Sequence, residues 1–233
     1  MTGRSKPSQP GGFLRHNSLS LFFLVIFLLA LGGQAFAGWH EFNNQQLAEG
    51  FGQVSFGRYL SSVDFAVDVS ENWQSEYLQF LLFILATVWL LQRGSPESKE
   101  LHKAGLESAE DQKIGRHADD SSPTWARVGG WRTAAFSNSL LLVMLSIFLG
   151  SWLVQSIAGW AAYNEVLLEQ MRDPMSWTSY VLGADFWSRT LQNWQSEFLA
   201  VGSMAVLSIY LRQRGSPESK PVGQSHASTG VEG

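Results

Sequence analysis

Two glutamates, Glu76 and Glu197, close the identical stretches 72–76 and 193–197, each reading NWQSE, and each lies about 4.5 Å, one helical turn, below a tryptophan. An ionisable side chain at that depth in an apolar segment is a functional candidate, and a symmetric acidic pair on a two-fold axis would hold a cation or a proton. The same letters also serve a plainer purpose. Asn72 and Asn193 can cap exposed backbone N–H groups, with Glu76 and Glu197 in the positive first turn of a helix. Gln34 and Gln155, five residues before Trp39 and Trp160, stand at nearly the same depth and are the expected hydrogen-bond partners of Glu76 and Glu197. Both readings stay open. A conduction path needs an ionisable group at mid-membrane, and the apolar stretches offer only Gln79, Thr87, Ser146, Ser151, Ser203 and Ser208 there. His102 and His117 lack the neighbouring Cys or acidic ligands of a metal site, and the absence of Cys removes disulfides and thiol chemistry. No phosphate loop, zinc-protease helix or nucleophile elbow occurs, so no catalytic residue, cofactor, metal or nucleic-acid partner is expected.

The elements that position these residues follow from composition. Only 15% of the 233 residues are charged, against roughly 25% in soluble domains, while 45% are apolar and 13% aromatic. Residues 19–39, 73–92, 138–160 and 194–212 are apolar stretches long enough to cross a hydrocarbon core of about 30 Å, with Trp or Tyr near their ends at headgroup level. The expected fold class is therefore all-α integral membrane, with four transmembrane helices. A soluble four-helix bundle would need a charged outer face that these stretches lack.

Laying residue 16 on residue 137 and running without a gap to 99 on 220 gives about 33 identities in 84 positions. The chain reads as two tandem hairpins. Arg15, the run LFFLVIFLLAL and Ala35-Phe36-Ala37 have the pattern of a cleaved signal peptide, but Ala37-Gly38-Trp39 falls on Ala158-Gly159-Trp160, deep inside the sequence, which argues for a retained span. About 13 of the 16 basic residues lie in the N-terminal arm (Arg4, Lys6, Arg15), the central loop and the tail, which places both termini and that loop in the cytoplasm. Each hairpin then enters and leaves in the same sense, as parallel repeats about a pseudo-two-fold along the membrane normal. The expected organisation is a cytoplasmic arm at 1–15, repeat 1 at 16–99 with outer loop 40–72, a flexible cytoplasmic linker at 100–135, repeat 2 at 136–220 with outer loop 161–193, and a disordered tail at 221–233. The acidic outer loops, with Asp64 and Asp185 as expected N-caps of short interfacial helices, are what remains once basic residues are kept inside.

The second span of each hairpin ends in QRGSPESK. Gly94 and Gly215 are suited to a left-handed helix stop, Pro96 and Pro217 cannot continue a helix, and Arg93 and Arg214 meet the negative helix end while reaching for lipid phosphates. Eight identical letters exceed what a helix stop requires. The alternative is a cytoplasmic docking surface formed by Arg93, Lys99, Arg214 and Lys220.

The paired NSLSL and NSLLL starts, the AGW turns, the Tyr59 and Asp64-Phe65 loop elements with their matches, and the NWQSE-to-QRGSPESK spans resemble a bacterial membrane-protein family known as a domain of unknown function. The resemblance covers 15–99 and 136–220 and implies a four-helix inner-membrane protein without assigned substrate, cofactor or catalytic residue. The functions to be weighed are a non-enzymatic scaffold or accessory protein, and a small transporter or channel with a site near the outer face. A membrane enzyme has the least support. The expected partners are the lipid bilayer and a membrane protein or a second copy of the chain.

Overall fold

The computed structural model describes residues 12–231, so Arg4 and Lys6 lie outside the described residues. Among these residues the chain is all-helical, with no strand. In order it forms α1 (Phe13–His16), α2 (Ser18–Ala48), α3 (Phe56–Leu60), α4 (Val63–Trp89), a short 3-10 turn (Gly115–His117), α5 (Thr124–Arg127), α6 (Gly130–Ser137), α7 (Ser139–Glu169), α8 (Trp177–Val181) and α9 (Ala184–Tyr210). The chain divides into two compact units after Phe65.

In the first unit, α2 is 31 residues long and apolar enough to cross a membrane. It continues past Trp39, the expected outer end of the span, because no Gly-Pro break follows there. The loop beyond it is tied back by side chains: Trp39 Nε1 and Asn43 Nδ2 donate to the Val54 carbonyl at 2.8 and 3.1 Å, and Val54 N donates to Asn43 Oδ1 at 2.7 Å. Ser55 caps α3 by accepting from Arg58 N. Tyr59, 2% exposed, lies between Phe42 and Phe65, its hydroxyl against Gly38.

The second unit contains the corresponding loop with the same contacts. The helix α7 is again 31 residues long and apolar enough to span. Trp160 Nε1 and Asn164 Nδ2 donate to the Met175 carbonyl at 2.7 and 3.1 Å, Met175 N donates to Asn164 Oδ1 at 2.9 Å, and Ser176 caps α8. Tyr180, 2% exposed, lies between Tyr163 and Phe186. The apolar core of this unit is Leu78 and Leu81 on α4 with Phe148 on α7, flanked by Trp152 and Trp194.

Several expectations are corrected. The interfacial helix and the second span of each hairpin are one continuous helix, so Asn72 and Asn193 lie inside α4 and α9 and donate to the carbonyls of Asp68 and Arg189 four residues back rather than capping anything. Glu76 sits about 20 Å along α4 from its start, far from the first turn. The real caps precede them: Ser62 accepts from Phe65 N, and Gly183 opens α9 with Asp185 in its first turn. The linker contains α5 and α6, closed by the Thr133 hydroxyl on the Trp125 carbonyl and by the Trp125–Trp131 ring contact. Residues 221–231 run as hydrogen-bonded turns, because the Lys220 ammonium draws their carbonyls inward. Among the described residues only α2 and α7 meet the length and composition of a span; α4 carries acidic residues, and α9 acidic and basic ones, through their first halves.

Candidate functional site

On α4, Glu71, Gln74, Ser75 and Leu78 recur at helical spacing and form one face. On α9, Arg189, Trp194 and Glu197 meet it in ascending order, so the two helices run side by side in the same direction. Arg189 Nε donates to Glu71 Oε1 at 2.5 Å, and Gln155 Nε2 on α7 reaches the same oxygen at 3.4 Å. One level down, Trp194 Nε1 donates to Gln74 Oε1 at 2.7 Å. Below that, the Ser75 hydroxyl donates to the Asn72 carbonyl at 3.0 Å beside Glu197, and Glu76 lies close enough for its charge to act on Glu197.

This ladder is enclosed at its centre. Gln74 is fully buried and Gln155 is 1% exposed, and Gln74 Nε2 and Gln155 Oε1 have no hydrogen-bond partner among the described residues. Enclosed polar atoms of this kind cost about 1–3 kcal/mol each, so the ion pair above them must hold the helices together against that cost. Arg189 is half-exposed and Glu71 nearly buried. Burial alone would lower the Arg189 pKa, but the Glu71 hydrogen bond and charge, then Asp185, carry it above its ordinary value. Tyr180 donates to Asp185 Oδ2 at 3.2 Å; burial, and then the Asp185 charge, push its phenol far above the usual range, so it stays a donor.

The structure therefore brings Glu76 and Glu197 onto facing helices, but Gln155 pairs with Glu71 rather than with Glu197. The reason is register: the unbroken helix puts Glu71, not Glu197, at the level of Gln155. Gln34 is half-buried on α2 in the first unit. Sequence reasoning missed Glu71 and Arg189, because they align internally with Gln192 and Asp68 and were masked by the search for matched positions.

The two QRGSPESK segments share one hydrogen-bonded turn. Ser95 N donates to the Gln92 carbonyl and Ser216 N to that of Gln213, with Gly94 and Gly215 at φ 86° and 85°, the left-handed residue of a type II turn. Glu97 N and Glu218 N donate to the preceding serine hydroxyls at 3.2 Å, and Gln92 N and Gln213 N to Ser98 Oγ and Ser219 Oγ at 2.9 Å. This replaces the helix-stop reading of the glycines: α4 and α9 end at Trp89 and Tyr210, five residues before Gly94 and Gly215.

The lysines fold the following chain back. Lys99 Nζ donates to the Gly105 carbonyl at 3.0 Å and pairs with Glu107. Lys220, 1% exposed, donates to the carbonyls of Gly94, Ser225, His226 and Ser228 at 2.6–3.3 Å, its pKa lowered first by burial and then by Arg212. Lys220 is thus committed inside the protein and Lys99 is held, partly exposed, by Gly105 and Glu107, whereas Arg93 and Arg214 are exposed. Lys220→Met is expected to release the tail, read as loss of hydrogen-exchange protection at the Gly94 and Gly230 amides, which bond Thr229 Oγ1 and the Ser95 carbonyl.

No curated protein and no solved structure matches this chain. Residues 11–231 do match one family, described as a domain of unknown function, and since the match runs over nearly the whole chain the protein belongs to that family, DUF6766.

Proposed function

We propose that the protein is a non-enzymatic scaffold or accessory protein of the bacterial inner membrane, crossing it four times as two repeated hairpins with both termini in the cytoplasm. The spans are supported by α2 and α7; 22% of the apolar window of α7 is buried, unlike the largely enclosed core helix of a soluble protein. The parallel course of α4 and α9 is the arrangement that duplicated hairpins would give.

The observation that carries the scaffold reading is the pair of identical turns. Their glycines, serines, prolines and lysines are used up in building a rigid backbone shape, and each turn leaves one arginine outside. Two guanidinium forks fixed on frames of the same geometry suit a partner with matched acidic groups. The test is affinity purification from native membranes of wild type and of Arg93→Glu/Arg214→Glu. A stoichiometric partner lost in the variant is the expected result, and a partner retained by the variant, or a small molecule in place of a protein, overturns it. Reporter fusions after Lys103 and Lys220 should report the cytoplasm and those near Gly52 and Asp173 the exterior; an exported central loop would reverse the orientation.

A further inference from the structure

The elbow from α5 into α6 buries its small residues and leaves its largest apolar ones outside. Ala126 and Thr133 are buried, the Thr133 hydroxyl donates to the Trp125 carbonyl at 2.6 Å, and the chain between them passes through Gly129 and Gly130 at φ 74° and 64°. Trp125 and Trp131 touch ring to ring at 6.0 Å while remaining 45% and 71% exposed, and Val128, between them in sequence, is 52% exposed. Adjoining apolar side chains left outside in this way mark a contact face.

The charge around this face is of one sign. Arg127 and Arg132 are the only charged residues between Asp120 and Glu165, and both are exposed. Neither forms an ion pair among the described residues. The Arg132 guanidinium lies 5.6 Å from the centre of the Trp131 ring, a stacking that uses its face and leaves its edge N–H groups as donors. A single residue, Asn138, separates α6 from α7, so the face ends where the apolar run of α7 begins.

We propose that the elbow is a surface anchor for anionic lipid: Trp125, Val128 and Trp131 settle among the headgroups at the entry of α7, and Arg127 and Arg132 hold lipid phosphates. Two observations select this occupant. Continuity with α7 sets the height, since tryptophan near the end of a span rests at headgroup level. Charge complementarity sets the lipid, because two arginines with no acidic neighbour in the sequence favour a negative surface over a neutral one, by about fivefold for each arginine. The inference rests on α7 entering a bilayer after Ser139, and not on the partner proposed for Arg93 and Arg214.

The chain has no cysteine, so single nitroxide labels can be placed on the full-length protein. Labels at Val128→Cys, at Ser146→Cys within α7 and at Leu106→Cys in the linker are read in nanodiscs of phosphatidylcholine with increasing phosphatidylglycerol, using oxygen and a nickel chelate to report depth. The Val128 label is expected to move from water into the headgroup layer as phosphatidylglycerol rises. The Ser146 label should be deep at every composition, and the Leu106 label aqueous. Arg127→Gln and Arg132→Gln should each raise the phosphatidylglycerol fraction needed for half-maximal burial about fivefold, while Arg127→Lys/Arg132→Lys keeps the preference. Trp131→Ala removes an exposed side chain and should return the Val128 label to water. A Val128 label that stays aqueous in phosphatidylglycerol beside a deep Ser146 label overturns the anchor. Equal burial in both lipids, or burial unchanged in Arg127→Gln/Arg132→Gln, overturns the anionic recognition. A label shielded only once a membrane-protein extract is added assigns the face to a protein and overturns the lipid reading. An aqueous Ser146 label overturns the span, and the anchor with it.

Discussion

Replacing Arg189 by Gln should cost the second unit about 2–3 kcal/mol, the toll of stranding a nearly buried Glu71, lowered from the 3–5 of a wholly buried pair because Arg189 is half-exposed. The diagnostic result is the rescue. Glu71→Gln/Arg189→Gln removes both charges and keeps an acceptor for Gln155 Nε2, so it should be more stable than Arg189→Gln alone. Thermal unfolding of the purified protein and its three variants gives the coupling energy. Simple additivity would mean that the ion pair is incidental to how α9 is held against α4.

The second large effect is expected at a glycine. A Cβ built on Gly159 would come 2.5 Å from the Tyr180 hydroxyl, and one on Gly38 would collide with the Tyr59 hydroxyl. A flexible side chain could swing away, but each tyrosine is 2% exposed and held between two aromatic rings. Gly159→Ala should therefore destabilise by about 1–3 kcal/mol through overpacking. Tyr180→Phe removes the clashing oxygen, so Gly159→Ala/Tyr180→Phe should recover part of the loss even though the bond to Asp185 goes with the hydroxyl. If the alanine variant melts with wild type, the Tyr180 ring is free to move and the outer loop is looser than its packing indicates.

Helix class and the long α2 and α7 were legible because apolar runs uninterrupted by charge leave little else possible. The side-chain bonds of Trp39, Asn43 and their matches were not, since a Trp repeated in both halves reads equally as an interfacial anchor. Asn72 and Asn193 misled for a definite reason: asparagine is a favoured cap, but a cap needs a helix to start there, and Ser62 and Gly183 had already started α4 and α9. Periodicity could have found the error, because Asp64, Asp68 and Glu71 fall on helical spacing with Ser75. Of the candidate site, Glu76 and Glu197 were legible as matched acidic residues with their mutual facing left open, while Glu71 and Arg189 needed the register of α4 against α9, which no single segment contains. The role of Lys220 was hidden by its similarity to an ordinary surface lysine, as charge alone says nothing about four carbonyls converging on it.

The closure around Lys220 also bears on biosynthesis. The Gly94 carbonyl accepts from Lys220 and the Gly94 N–H donates to Thr229, residues made after more than half of the chain has followed Gly94 out of the ribosome. Local elements such as the Trp39 and Trp160 loops can form early in synthesis, whereas this contact must wait for Lys220 and Thr229. A nascent chain therefore exposes the Gly94 carbonyl and amide on an open turn until Lys220 and Thr229 have been made.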